Sequence, residues 1–209
     1  MFPLKLLPPK LVLASLVALS VPAFGQQGAS EFKITKVEPL FQESPNFQGT
    51  RYDKRGFKPK PWLEVEVTFE WQPKAKEPKY TDELTFNYYI LLKNPSQQSP
   101  KGTLLVGTVT HASIPQEREM HSAVYVSPRA LEKLFDGKVP GTPLAAVEEI
   151  GVTISKQGQI VAEYSGKYRS QWWTQFQQTP GYVLNKNETP FAPLAWDYFE
   201  AIKPKSSGL

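Results

Sequence analysis

His111 and His121 are the chain's only histidines, and by type they are the residues best suited to acid–base or metal chemistry. They end one apolar segment and begin the next, with Glu117 and Glu119 between them. A hairpin could bring them close, and imidazole with carboxylate can hold zinc. The spacing does not supply the remainder of such a site. There is no HExxH and no third ligand at a recognisable distance, so no metal is expected. Serine hydrolysis needs a nucleophile, a base in reach and an oxyanion site. No GxSxG elbow exists, and neither histidine sits in a glycine-rich loop. Glu64, Glu66 and Glu70 could in principle cleave glycosides as a carboxylate pair. They lie on the polar side of one strand, however, and are expected to form a solvated face. No GxxxxGKS or GxGxxG loop supports nucleotide binding. The expectation is a protein with no catalytic residues, no cofactor and no enzymatic activity.

Binding chemistry has a stronger candidate in Trp172-Trp173. An exposed indole stacks on sugars or anchors protein interfaces, where tryptophan is enriched. In a helix neighbours differ by about 100°, and in a strand they point to opposite sides. Either geometry places one indole near the surface. Trp172 and Trp173 are therefore the expected partner-binding residues. Two basic clusters are weaker candidates. Arg51, Lys54, Arg55, Lys58 and Lys60 form one, and Lys74, Lys76 and Lys79 the other. They flank a single strand candidate, which at ~3.3 Å per residue separates them by about 30 Å. A Debye length of ~8–10 Å screens charges so far apart, so no nucleic-acid partner is expected. Asn187-Glu188-Thr189 matches a glycosylation sequon, a pattern common by chance.

The elements that would position these residues are mostly strands. From Glu31 to about Ser165 the apolar pattern has period two. Leu63, Val65, Val67, Phe69 and Trp71 alternate with Glu64, Glu66, Thr68 and Glu70, which specifies one buried and one wet face. Leu84, Phe86, Tyr88, Ile90 and Leu92 make a second such row. Further strands are expected over 32–40, 103–113, 119–126, 146–155 and 159–164, the last two joined through Gln157-Gly158. One short helix is marked by Ser127 as N-cap, Pro128 at its first position and Gly137 beyond its end. It fits a crossover between sheets. Twenty prolines punctuate the apolar segments, where a sheet protein tolerates them. Seven strands with turn signals between them predict an all-β, immunoglobulin-like antiparallel sandwich. The chain has no cysteine, so it would be a disulfide-free relative. A closed barrel is the alternative.

From Gly166 to the end the pattern changes, and nine aromatics fall in this segment. Short helices are expected over 170–178 and 193–202. So many aromatic rings cannot stay in water, because each carries a large apolar area. The segment is expected to pack over the sandwich, and part of it to meet a partner.

The first 25 residues read as a secretory leader. Lys5 and Lys10 precede an apolar run, Leu11 to Val21, followed by Pro22, Ala23 and Gly25. That order predicts cleavage between Gly25 and Gln26. This run of eleven residues falls short of the ~20 that span a bilayer. No cysteine follows to carry a lipid, and a pilin leader would place the apolar helix after the cut. The expected organisation is a signal peptide at 1–25, a sandwich at 26–165 and an aromatic-rich extension at 166–209. The expected product is secreted, periplasmic or at the outer envelope, without stable membrane insertion.

The stretch Leu184-Asn185-Lys186-Asn187-Glu188-Thr189-Pro190-Phe191-Ala192-Pro193-Leu194-Ala195-Trp196-Asp197-Tyr198-Phe199-Glu200 carries a resemblance, together with Trp172-Trp173, the leader and the Trp62–Trp71 strand. With these features the chain resembles a family of verrucomicrobial secreted proteins known from Akkermansia. They are called pilus-like and have an immunoglobulin-like fold akin to archaeal type IV pilus-like proteins. The resemblance implies a non-enzymatic role at the envelope or in a pilus-like assembly, through contact with other envelope proteins or by self-association. It supplies no catalytic residues. A glycan-binding module using the same two tryptophans is the alternative.

Overall fold

A computed structural model describes residues 31–46, 58–73, 79–94 and 100–204. The leader, most of the first basic cluster and Lys74 and Lys76 of the second lie outside them. The seven expected strands are present: β1 (Phe32–Glu43), β2 (Pro61–Trp71), β3 (Tyr80–Leu92), β4 (Thr103–Pro115), β5 (Met120–Val126), β6 (Val147–Lys156) and β7 (Gln159–Ser165). Two short strands come from the C-terminal segment, β8 (Gln178–Thr179) and β9 (Val183–Asn185). One sheet has the order β1-β2-β5-β9 and the other β7-β6-β3-β4-β8. Among the first seven strands this is an immunoglobulin-like arrangement, with β4 beside β3.

Alternation does what it promises between the sheets. Leu63, Val65, Val67 and Phe69 of β2 face Leu84, Phe86, Tyr88 and Ile90 of β3, all fully buried in one core. The β6–β7 hairpin turns through Gln157 and Gly158, both at positive φ. Helix α1 (Pro128–Leu134) carries the chain from β5 in one sheet towards β6 in the other, as expected of a crossover. The Ser127 side chain accepts from the Ala130 N–H, and Leu131 is the buried anchor. A second, four-residue helix, α2 (Pro143–Ala146), leads directly into β6. Among the described residues no helix is long and apolar enough to cross a membrane.

The segment after β7 laces the two sheets together along one side. β8 pairs in parallel with Leu104 and Leu105 of β4, and β9 pairs antiparallel with Val124–Val126 of β5. The chain then returns to β4, where the Ala112 N–H donates to the Ala201 carbonyl and the Lys203 N–H to the Thr110 carbonyl. Val183 of β9 packs over Gly107, where a Cβ would lie 2.3 Å from a valine methyl. The absence of a side chain there lets the strap seat between the sheets. The helix expected over 193–202 is not formed. Its residues run through turns, with Ala195 at positive φ and the Tyr198 N–H closing back on the Ala195 carbonyl, while Glu200 and Ala201 pair with β5 and β4. Over 170–178 only a 3-10 turn, Trp172–Gln175, is helical.

Candidate functional site

The expectation that Trp172 or Trp173 lies at the surface is overturned. The two are 3% and 4% exposed. The 3-10 turn and its left-handed start at Gln171 (φ 57°) lay both rings on the outer face of the five-stranded sheet. Trp173 stacks on Tyr89 with centroids 4.4 Å apart and planes 6° off parallel. It also lies flat on Gly151, where a Cβ would come within 2.4 Å of the ring. Trp172 meets Trp173, Tyr168 and Phe176 edge to face. Leu91 and Leu104 complete this cluster. Opposite-side geometry failed as a guide because a 3-10 turn on a flat sheet can tilt two consecutive rings inward.

The turn that delivers these rings is held by one carboxylate. Glu149 is 4% exposed, and its oxygens accept from four backbone N–H groups, those of Ile150, Gly166, Lys167 and Tyr168, at 2.7–3.1 Å. Acceptor-only chemistry suits a turn whose N–H groups converge. Ser170 and the Gln171 N–H fasten to Glu163 just beyond it.

The opposite outer face, on β2 and β5, is also covered. Glu64 and Glu66 are therefore not the solvated face that their alternation suggests. Glu64 is 7% exposed, and its cross-strand neighbour Tyr125 is stacked under Phe191 in a cluster with Leu194 and Phe199. Burial and nearby Glu66 push the Glu64 carboxyl above the usual carboxylate range, while a Tyr125 hydrogen bond and Lys186 oppose them. Lys186 is itself buried, donates to the Ala192 carbonyl and lies under the Trp196 and Phe199 rings at 5.7 and 5.4 Å. Further along, Glu66 Oε1 accepts from Tyr198 Oη (2.7 Å) and from His121 Nδ1 (3.0 Å). Tyr198 stacks on His121 at 4.0 Å. The Tyr198 hydroxyl is pushed up to about 12, first by desolvation and then by Glu66.

The two histidines are not brought together by a hairpin, since β4 and β5 belong to different sheets. His111 points into the core and His121 out of it. Tyr88 donates to Ser122 Oγ at 2.7 Å, and Ser122 Oγ lies 2.6 Å from His111 Nε2. His111 Nδ1 faces the Glu200 carbonyl at 3.0 Å. One proton assignment satisfies every group: serine donates to Nε2, and Nδ1–H donates to the carbonyl. Burial lowers His111 to about 4, which keeps that neutral tautomer. A serine–imidazole pair thus exists that no motif announced, but Ser122 and His111 are 0% and 1% exposed. Its chemistry is to bolt the strap to both sheets. Among the described residues no three His, Asp or Glu side chains converge as a metal site.

The aromatics that the strap leaves most in water are Trp196 at 69% and Tyr198 at 47% exposure, ahead of Tyr168 at 39%. Trp196 and Tyr198 divide two shallow depressions. One, of about 520 Å³, is bordered by Lys186, Trp196, Phe199, Ile202 and Pro204. The other, of about 500 Å³, is polar and includes Glu66, Arg118, His121 and Tyr198. Sequence reasoning passed over Trp196 in favour of the tryptophan pair. No local signal marked it, because Pro193 and Pro204 bracket the segment as they would a short helix. The sequon is also tied into the strap: the Thr189 hydroxyl is buried and donates to the Lys186 carbonyl.

These features define a disulfide-free, immunoglobulin-like β-sandwich closed by a C-terminal strap. Residues 23–206 match a protein-family model, and the chain belongs to that family, the Akkermansia-type verrucomicrobial family it resembles. It is similar to a protein from Akkermansia muciniphila of known crystal structure, with 29% identity and a TM-score of 0.68 over 84% of this chain and 94% of that one. No curated protein matches the chain.

Proposed function

We propose that the protein is a non-enzymatic component of the cell envelope, secreted or periplasmic, that works by protein–protein contact in a pilus-like or related assembly. Support comes from the leader-like first 25 residues, the family relation and above all one structural observation. Trp196 is a large indole left 69% exposed on a segment otherwise tied down at Lys186, Glu200, Ala201 and Lys203. An exposed ring on a rigid mount, beside a depression bordered by Phe199 and Ile202, has the composition of an interface anchor. Trp172 and Trp173 do not serve here, because neither presents a free ring face. The same burial removes the stacking surface that the glycan-binding alternative required of them.

A photo-crosslinking residue at position 197, next to Trp196 and exposed, is the direct test in intact cells. Capture of a discrete envelope protein or of a second copy of this chain, lost in Trp196→Ala with an unchanged melting temperature, is the expected result. Equal capture by Trp196→Ala sinks the proposal.

A further inference from the structure

Two surfaces are left unused by the packing, and they lie on different parts of the molecule. The first is Leu144, at 74% the most exposed large apolar side chain among the described residues. Its mount is rigid. The Thr142 side chain caps the Ala145 N–H, the Lys93 ammonium donates to the Leu144 carbonyl at 2.9 Å, and Ala146 is fully buried. A leucine displayed in this way loses little backbone freedom on binding. The end of the sandwich that carries it is basic. Lys60 and Asn94 fasten α1 there through Glu132 and the Leu134 carbonyl, and Lys101, Arg129, Lys133 and Lys138 are exposed.

The second surface is the depression beside Trp196. Phe199, Ile202 and Pro204 give it an apolar border, and Asp197 and Glu200 an acidic one. Cations of the same chain do not answer these acids. Lys186, the one cation bordering the depression among the described residues, is buried and donates to the Ala192 carbonyl, and Lys203 is paired with Glu83. Burial, and then Glu117, raises the Glu200 carboxyl to about 7. A cation brought from outside would relieve that crowding.

The chain thus carries an apolar knob with basic surroundings and an apolar depression with acidic ones. We infer that the partner at Trp196 is a second copy of this chain, whose Leu144 enters the depression while its basic end faces Asp197 and Glu200. The inference rests on the reading of Trp196 as a contact residue. Helix α2 packs on β1 and β6, whereas the depression belongs to the strap, so the contact joins unlike surfaces. Such a contact leaves a free knob on one copy and a free depression on the other, and it extends to a ring or a filament.

Sedimentation velocity of the purified protein, from about 10 µM to about 1 mM, is the test. The sedimentation coefficient should rise with concentration, and association should weaken about tenfold or more between about 50 and about 500 mM salt. Leu144→Asp and Trp196→Ala should each sediment as monomers with unchanged circular dichroism. Mixed, they should associate again, as dimers, because the first keeps its depression and the second its knob. A monomer at every concentration, no complementation in the mixture, or association that strengthens with salt overturns the inference. Capture of a different envelope protein at position 197 without self-association removes this inference alone, whereas equal capture by Trp196→Ala removes the reading beneath it.

Discussion

The C-terminal strap covers both outer faces of the sandwich but treats them differently. On the five-stranded sheet the rings themselves rest on an apolar seat, two indoles on a glycine, a tyrosine and two leucines, and the buried charge there, Glu149, holds the turn that delivers them and is not part of that seat. On the four-stranded sheet the cover traps charge: Glu64, Glu66, His121 and Lys186 are held under or beside Phe191, Tyr198 and Phe199. Dry burial stabilises in proportion to apolar area and is indifferent to pH. Buried ionisable groups add little net stability, since desolvation offsets their attraction, but they tie the strap to the protonation state of its seat. The first face is thus a clamp and the second a contact surface with adjustable chemistry.

The largest expected effect breaks the dry face. Trp173→Ala should cost about 3–5 kcal/mol, the usual range for emptying a tryptophan site, and shift the urea midpoint accordingly. If the midpoint hardly moves, the indole cluster is not what holds the strap.

Next comes the titration of the strap's seat. His111 is lowered to about 4 from an ordinary 6.5, so its contribution is present above pH 6.5 and lost as pH falls through 4. Two and a half units correspond to about 3 kcal/mol. Glu200 is raised to about 7, by desolvation and then by Glu117, so its contribution is present below 4.5 and lost as pH rises through 7. The two slopes oppose each other between about pH 4.5 and 6.5, and the intact protein should show a shallow profile there. Glu200→Gln removes the falling limb, so stability measured from pH 4 to 8 should rise more steeply with pH than in the parent. Superimposable profiles would contradict the assignment.

Glu149→Gln replaces an acceptor of four N–H groups by one that can accept at a single oxygen. A loss of about 1.5–3 kcal/mol is expected, with amide exchange accelerating first at Gly166–Tyr168. Uniform exchange across the sandwich would show instead that this turn has no separate stability. The smallest effect belongs to the polar face: Tyr198→Phe removes one half-exposed hydrogen bond to Glu66 and should cost about 1 kcal/mol or less, leaving thermal stability nearly unchanged.

Much of this fold was legible from pattern. The inward rows of β2 and β3, the Ser127–Pro128 helix start and the Gln157-Gly158 turn all follow from local periodicity and turn chemistry. The covered faces had a signal too. Tyr88–Leu92 and Ala123–Val126 are continuous apolar runs, the mark of strands buried on both sides. That signal says a face is covered without saying by what. Trp196 carried none strong enough, because an exposed and a buried tryptophan look the same in a list of residues.

By itself the sequence determined which side of each strand a residue occupies, since period two is a property of the extended backbone. It also determined where strands end, through proline, glycine and capping residues. Only the tertiary structure decided which sides stay wet. Glu66 reads as a solvent residue until Tyr198, 132 positions later, closes over it, and Trp172 and Trp173 read as a binding pair until Gly151 and Tyr89 accept them. Such contacts depend on where a distant segment returns, which is set by the summed burial of the whole chain and not by any local pattern.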